Sequence, residues 1–184
     1  LENIGTSKPN GTMRGTANTN ATASTRPRAP PAGFAKIHVD AGVARHNRGG
    51  IAAAICRDDS GNYLGSSALV IPGVCDVATL EALACREALA LAEDLHIHQF
   101  IIASDSREVI NDINKSYRGK NGAIISEINL RASGFNCSFT FKGRQPNGDA
   151  HRIARSSLSL QQGRHLWLVY PHANCIPQTV AFDE

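Results

Sequence analysis

With 184 residues, 42% of them hydrophobic, the chain can bury one ordinary core and is too short for two, so one domain with tails is expected. No run of about 18 apolar residues occurs, and the opening LENIGTSKPNGTMRG lacks the apolar stretch of a secretion signal; both point to an intracellular protein, nuclear or cytoplasmic, with no membrane partner. The net charge of +3 is weak evidence for a polyanionic partner, because residues 1–33 supply it (Lys8, Arg14, Arg26 and Arg28 against Glu2) and the remainder carries 15 basic and 15 acidic residues.

Residues 1–33 are rich in Thr, Asn, Ala, Gly and Pro and cannot bury enough apolar surface to offset the entropy of ordering, so they read as a disordered basic linker. Beginning at Leu1 rather than Met, the chain also reads as a piece of something longer. A domain is expected over residues 34–162. Its first strand spans 34–43, with Ile37 and Val39 facing the core and Lys36 and His38 facing outward. Gly49-Gly50 opens the apolar run IAAAIC, suited to a covered strand. After the turn signal Asp58-Asp59-Ser60-Gly61-Asn62, YLGSSALVI completes an antiparallel meander.

Residues 77–96, dense in Ala and Leu, read as a helix, and QFIIAS as a fourth strand. Residues 105–117 read as a short helix opened by an Asp105-x-x-Glu108 capping pattern, and 121–133 as another. NCSFTFK alternates as a fifth strand, and 148–160 form the last helix. The order β-β-β-α-β-α-α-β-α predicts a mixed α/β fold, a five-stranded mixed sheet flanked by helices. Residues 163–184, with Trp167, Pro171 and Pro177, read as an apolar but broken C-terminal tail.

Cys56, Cys75, Cys85, Cys137 and Cys175 form no Cys-x-x-Cys pair, so reduced thiols are expected; His96 and His98 read as a surface pair.

Glu81 carries most information, because a charge there breaks the helix pattern. At about 100° per residue it shares a face with Ala84, Cys85, Ala88, Ala92 and Leu95, while Arg86, Glu87, Glu93 and Asp94 gather opposite. Either the carboxylate points at the sheet and is neutralised there, or it sits near the positive end of the helix dipole and reaches solvent. Asp40 ends the first strand in phase with Lys36 and His38, where an Asp before Ala-Gly also suits a turn. Asp105 closes the fourth strand and also suits a helix N-cap. In combination they say more, because strands one and four are plausible neighbours, which sets Asp40 beside Asp105 with Glu81 above. Three convergent carboxylates repel unless a cation lies between them, and an all-oxygen set suits Mg²⁺ or Mn²⁺. Two such ions roughly 4 Å apart can stabilise both oxygens of an in-line displacement at phosphorus.

VDAG, GGIAAAICRDDSGNYLG, LEALACREALALAEDL, IIASDS and PNGDAHRIAR, in this order over about 125 residues, resemble the type 1 ribonuclease H fold, particularly its plant reverse-transcriptase-like branch. The resemblance implies an endonuclease that hydrolyses the RNA strand of RNA–DNA hybrids, leaving 5′-phosphate and 3′-hydroxyl ends. Asp40, Glu81 and Asp105 then stand at the first three metal positions. At the fourth, where the family motif reads Asn-x-x-Ala-Asp, this chain reads Asn147-Gly148-Asp149-Ala150-His151, so His151 replaces a carboxylate. An imidazole there should hold Mg²⁺ less well than Asp and tolerate Mn²⁺ better. Asp149, about 200° away on a helix, reads as a helix-start residue. The family's histidine in the preceding loop has no counterpart in KGRQPNG.

Basic and polar residues flank this centre where a phosphate backbone would pass: Arg45 and Arg48 after the first strand, and Lys142, Arg144, Asn147, Arg152 and Arg155 around the last helix. Lys115, Arg118 and Lys120 form a second group. They read as contacts for salt-sensitive, sequence-independent binding of an RNA–DNA hybrid or other nucleic acid. The alternatives are a binding module of the same fold that holds nucleic acid without cutting it, and a retroelement-derived protein-interaction domain.

Overall fold

The computed structural model describes residues 27–44, 49–143, 148–172, 174 and 176–182. β1 (Ala35–Val43), β2 (Gly49–Arg57) and β3 (Tyr63–Pro72) form the antiparallel meander, in which Asp40 pairs with Ala53 and Ala53 with Ala68. β4 (Gln99–Ser104) runs parallel to β1, and β5 (Asn136–Phe141) parallel to β4.

The expected five strands become six. β6 (Gly163–Trp167) lies antiparallel to β3, in the order β5-β4-β1-β2-β3-β6, so the start of the expected tail belongs to the sheet. GRHLW is short, and nothing in it predicts pairing; the edge of β3 supplies the backbone partners. Trp167 then stacks between His165 and His172, at 6.2 and 4.6 Å between ring centroids, which fixes the chain beyond the strand.

α1 (Val77–Asp94), α2 (Arg107–Lys115) and α3 (Gly122–Ala132) enclose the larger core with Ile37, Val39, Leu80, Leu89, Leu91, Phe100, Ile102 and Ile128. Full burial of each such side chain contributes roughly 1.5–3 kcal/mol. Ala84, Ala88, Ala52 and Ala54 are small enough for α1 to approach β1 and β2 closely. Gly50 sharpens this, because a Cβ there would lie 2.2 Å from a Leu80 methyl and 2.8 Å from the Val74 carbonyl oxygen. Only glycine lets the first turns of α1 sit down on β2.

α4 (Gly148–Ser156) and a 3₁₀ turn (Ser157–Ser159) cover the opposite face. There Ile51, Ala53, Ile55, Ala68, Ala150, Ile153, Ala154 and Ile176 form a second apolar layer. The expected outward face of β1 is interior: α4 lies over His38 and Asp40, while Lys36 is buried with its ammonium donating to the Arg28 carbonyl at 2.6 Å. A strand with polar residues on one face resembles a half-exposed strand; here that face is roofed by a helix from far along the chain.

The charged side of α1 is paired, and only Glu87 on it is buried. Arg86 pairs with Glu127 at 3.2 Å and Glu93 with Arg131 at 2.7 Å, both partners on α3. Glu87 is 4% exposed and meets Arg164 of β6 at 2.6 Å. Cys56, Cys85 and Cys137 are free thiols, and Cys175 lies outside the described residues.

Candidate active site

Asp40 is the sixth residue of β1. In the parallel pairing of β1 with β4, His38 stands opposite Ala103, and two further residues along each chain bring Asp40 level with Asp105. Asp105 is exposed and follows β4 directly. The N-cap of α2 is Ser106, whose hydroxyl accepts from the Val109 amide at 3.4 Å, so the expected capping role of Asp105 passes to its neighbour. The Asp105 carboxylate is thereby left to face the pocket.

Glu81, the fifth residue of α1, is 7% exposed, and the helix directs it toward the sheet rather than solvent. Ligand oxygens of Asp40, Glu81 and Asp105 all lie within 4.8 Å of one another. Burial pushes the Glu81 carboxyl up to about 8, and the charges of Asp105 and Asp40 add to the rise; hydrogen bonds from Ser104 and the Ala41 amide oppose it. Asp40 is raised as well, first by burial and then by Asp105, with a hydrogen bond from His151 opposing.

His151, on the exposed side of α4, directs Nδ1 at Asp40 Oδ2 over 3.0 Å. A carboxylate only accepts, so the imidazole donates Nδ1–H. His151 therefore joins the centre through Asp40.

These residues suit a hard divalent cation. All three carboxylates offer oxygen, and Glu81 Oε2 is buried without a hydrogen-bond partner. A buried acceptor in that condition is costly unless a proton or an ion completes it.

The expected nucleic-acid contacts divide. Arg45, Arg48, Arg144 and Asn147 lie outside the described residues. Lys142 is half-buried with Nζ 2.8 Å from His38 Nδ1. Its ammonium is pushed down to about 7 by burial and by Lys36, and His38 falls well below its usual range by burial and by Lys142, Lys36 and Arg57. Arg152 is exposed but hydrogen-bonds to Asp149 on its own helix. Lys115, Arg118 and Arg155 are exposed, and Lys120 pairs with Asp76 at 2.9 Å.

Two residues escaped the sequence reading. Ser104, in IIAS, looks like any small strand residue, yet it is fully buried and hydrogen-bonds Glu81. Arg57 reads as a polar strand end, yet it is 2% exposed and pairs with Asp149 at 2.8 Å. An Arg directly before a turn signal carries no mark of burial.

The family model described as reverse transcriptase-like matches residues 38–157. Among solved structures the chain resembles RNase H1 of the halophilic archaeon Halobacterium salinarum NRC-1, with TM-score 0.58 and 19% identity over 68% of this chain and 97% of that one. It also resembles LC11-RNase H1, isolated from compost by a metagenomic approach, with TM-score 0.59 and 20% identity over 68% and 96% of the two chains. The N-terminal RNase H domain of a Mycobacterium tuberculosis protein gives TM-score 0.57 and 21% identity over 67% and 93%. LC11-RNase H1 has also been solved in complex with an RNA/DNA hybrid. At these identities the similarity shows the fold. No curated protein matches the chain.

Proposed function

The chain belongs to the reverse transcriptase-like family, and on that premise we propose that it is a metal-dependent endonuclease hydrolysing the RNA strand of RNA–DNA hybrids. The observation that carries the reading is the meeting of Asp40, Glu81 and Asp105 within 4.8 Å, with Glu81 Oε2 left unsatisfied. Those three residues would hold Mg²⁺ or Mn²⁺, most economically two ions. Bound there, divalent ions supply activation of a water molecule and charge stabilisation at the scissile phosphate.

The chain's own residues do the rest. Glu81 and Asp40 must each be deprotonated to bind a cation, so the pocket loads as pH rises through their elevated ranges. His151 holds one Asp40 oxygen by Nδ1–H, which fixes the carboxylate's direction and leaves Nε2 to exchange a proton with water or the departing oxygen. Arg152 and Arg155, both exposed on α4, supply phosphate contacts that position the duplex without reading its sequence.

Cleavage of a labelled hybrid in Mg²⁺ and in Mn²⁺, with Asp105→Asn as control, tests the reading; no cutting by the unsubstituted chain in either metal rejects it. A second reading, a nucleic-acid-binding module that does not cut, is favoured by the imidazole of His151 at the position where the family motif has a carboxylate. Salt-sensitive hybrid binding without turnover is its signature.

A further inference from the structure

Arg57 ends β2 in phase with Ile51, Ala53 and Ile55, so strand alternation sets its side chain on the face that α4 covers. Its guanidinium donates to four acceptors on three separate segments. Asp149 Oδ2 on α4 lies at 2.8 Å, the Gly61 carbonyl of the β2–β3 turn at 3.1 Å, and the Pro177 and Gln178 carbonyls at 2.7 and 3.3 Å. A cation at 2% exposure needs its complete set of acceptors, because desolvation is otherwise uncompensated.

Residues 176–180 are laced to the same turn. The Tyr63 amide donates to the Gln178 carbonyl at 2.7 Å and the Val180 amide to the Gly61 carbonyl at 3.1 Å. Thr179 Oγ1 donates to Asn62 Oδ1 at 3.1 Å, and Ile176 is buried in the apolar layer under α4. On the other side, Asp149 stands two residues before His151, whose Nδ1 meets Asp40. A continuous bonded path thus runs from the C-terminal segment through Arg57 and Asp149 into α4, and from α4 into the acidic centre. α4 has nine residues, too few to hold itself in place without tertiary anchors.

We propose that Arg57 is a positioning residue which, completed by the docked segment 176–180, sets the first turn of α4 and so the approach of His151 to Asp40. The inference rests on the reading of the acidic centre as a metal site, and it makes the C-terminal segment a working part of that site. The planar fork of arginine suits four acceptors in different directions; a single ammonium does not.

The test uses the full chain with Arg57→Lys, Arg57→Gln and Asp149→Asn, and with Arg164→Gln as a control lesion at an ion pair remote from α4. Mn²⁺ binding is measured by calorimetry and backbone opening by hydrogen exchange. Arg57→Lys and Arg57→Gln are expected to weaken Mn²⁺ binding about tenfold, the low end of the range for residues supporting a metal ligand. Exchange in α4 and in 176–180 should accelerate together. Asp149→Asn should accelerate exchange in α4 while leaving 176–180 as it was, and Arg164→Gln should leave the Mn²⁺ affinity within twofold. Unchanged Mn²⁺ binding and unchanged α4 exchange in both Arg57 variants overturn the proposal. If Arg57→Gln does not fold, Arg57→Lys and Asp149→Asn decide alone. If the unsubstituted chain binds no Mn²⁺, the metal-site reading fails, and exchange still decides the positioning role: joint loosening supports it and independent loosening overturns it.

Discussion

His151 Nδ1 stands 3.0 Å from Asp40 Oδ2, so the imidazole that replaces a carboxylate in the motif is already committed to one of the acids it accompanies. That contact brings a hydrogen-bond donor to the pocket in place of a negative charge. Restoring the charge with His151→Asp should tighten Mg²⁺ binding about tenfold and narrow the preference for Mn²⁺, because a hard oxygen ligand replaces a nitrogen. Calorimetric titration with each metal checks this, and equal affinities in the two proteins would show that position 151 does not face the ion.

Glu81 fixes a pH dependence. Its carboxyl is raised to about 8 in the fold, against about 4.5 for the free side chain, so the folded chain retains a proton that the unfolded chain has released. The associated stability is fully present below about pH 4.5 and is lost as pH rises through 8. In EDTA, stability should fall between those limits by on the order of a few kcal/mol, with Asp40 adding in the same direction. Glu81→Gln should flatten the slope, and Mn²⁺ at pH 8 should restore the loss in the unsubstituted chain only. Urea denaturation across pH is the measurement.

Gly50→Ala tests the close approach of α1 to β2. A Cβ 2.8 Å from the Val74 carbonyl oxygen and 2.2 Å from Leu80 must displace the turn that carries Glu81. The expected cost is about 1–3 kcal/mol in thermal or chemical unfolding, accompanied by weaker Mn²⁺ binding. Loss of stability with unchanged metal affinity would mean that Glu81 is placed independently of that turn.

Glu87 and Arg164 tie β6 to α1 at 2.6 Å with the carboxylate 4% exposed. Arg164→Met alone should cost about 3 kcal/mol by stranding a buried charge. Glu87→Leu in the same chain should recover most of it, since the pair is then exchanged for apolar contact. A double-mutant cycle by urea denaturation measures the coupling, and additive costs would refute it.

Much of this protein is written locally. The alternation of Ile37 and Val39, the turn at Asp58 to Asn62 and the Ala- and Leu-rich stretch before His96 each determine an element from side-chain volume and backbone preference alone. Their order determines that β1 and β4 can be neighbours, and the misplaced charge of Glu81 marks where a site should form. Asp105 was legible as a pocket residue but not as distinct from a cap, because choosing between Asp105 and Ser106 requires the φ and ψ of the turn.

What the sequence left open depends on groups distant along the chain. The burial of His38 and Asp40 was decided by α4, more than 100 residues away, and that of Glu87 by Arg164 of a strand with no signature of its own. Arg57 became interior only because Asp149, Pro177 and Gln178 converge on it. Local patterning reports what a residue prefers, whereas a buried charge survives where remote partners arrive to satisfy it, and only the tertiary structure brings those partners together.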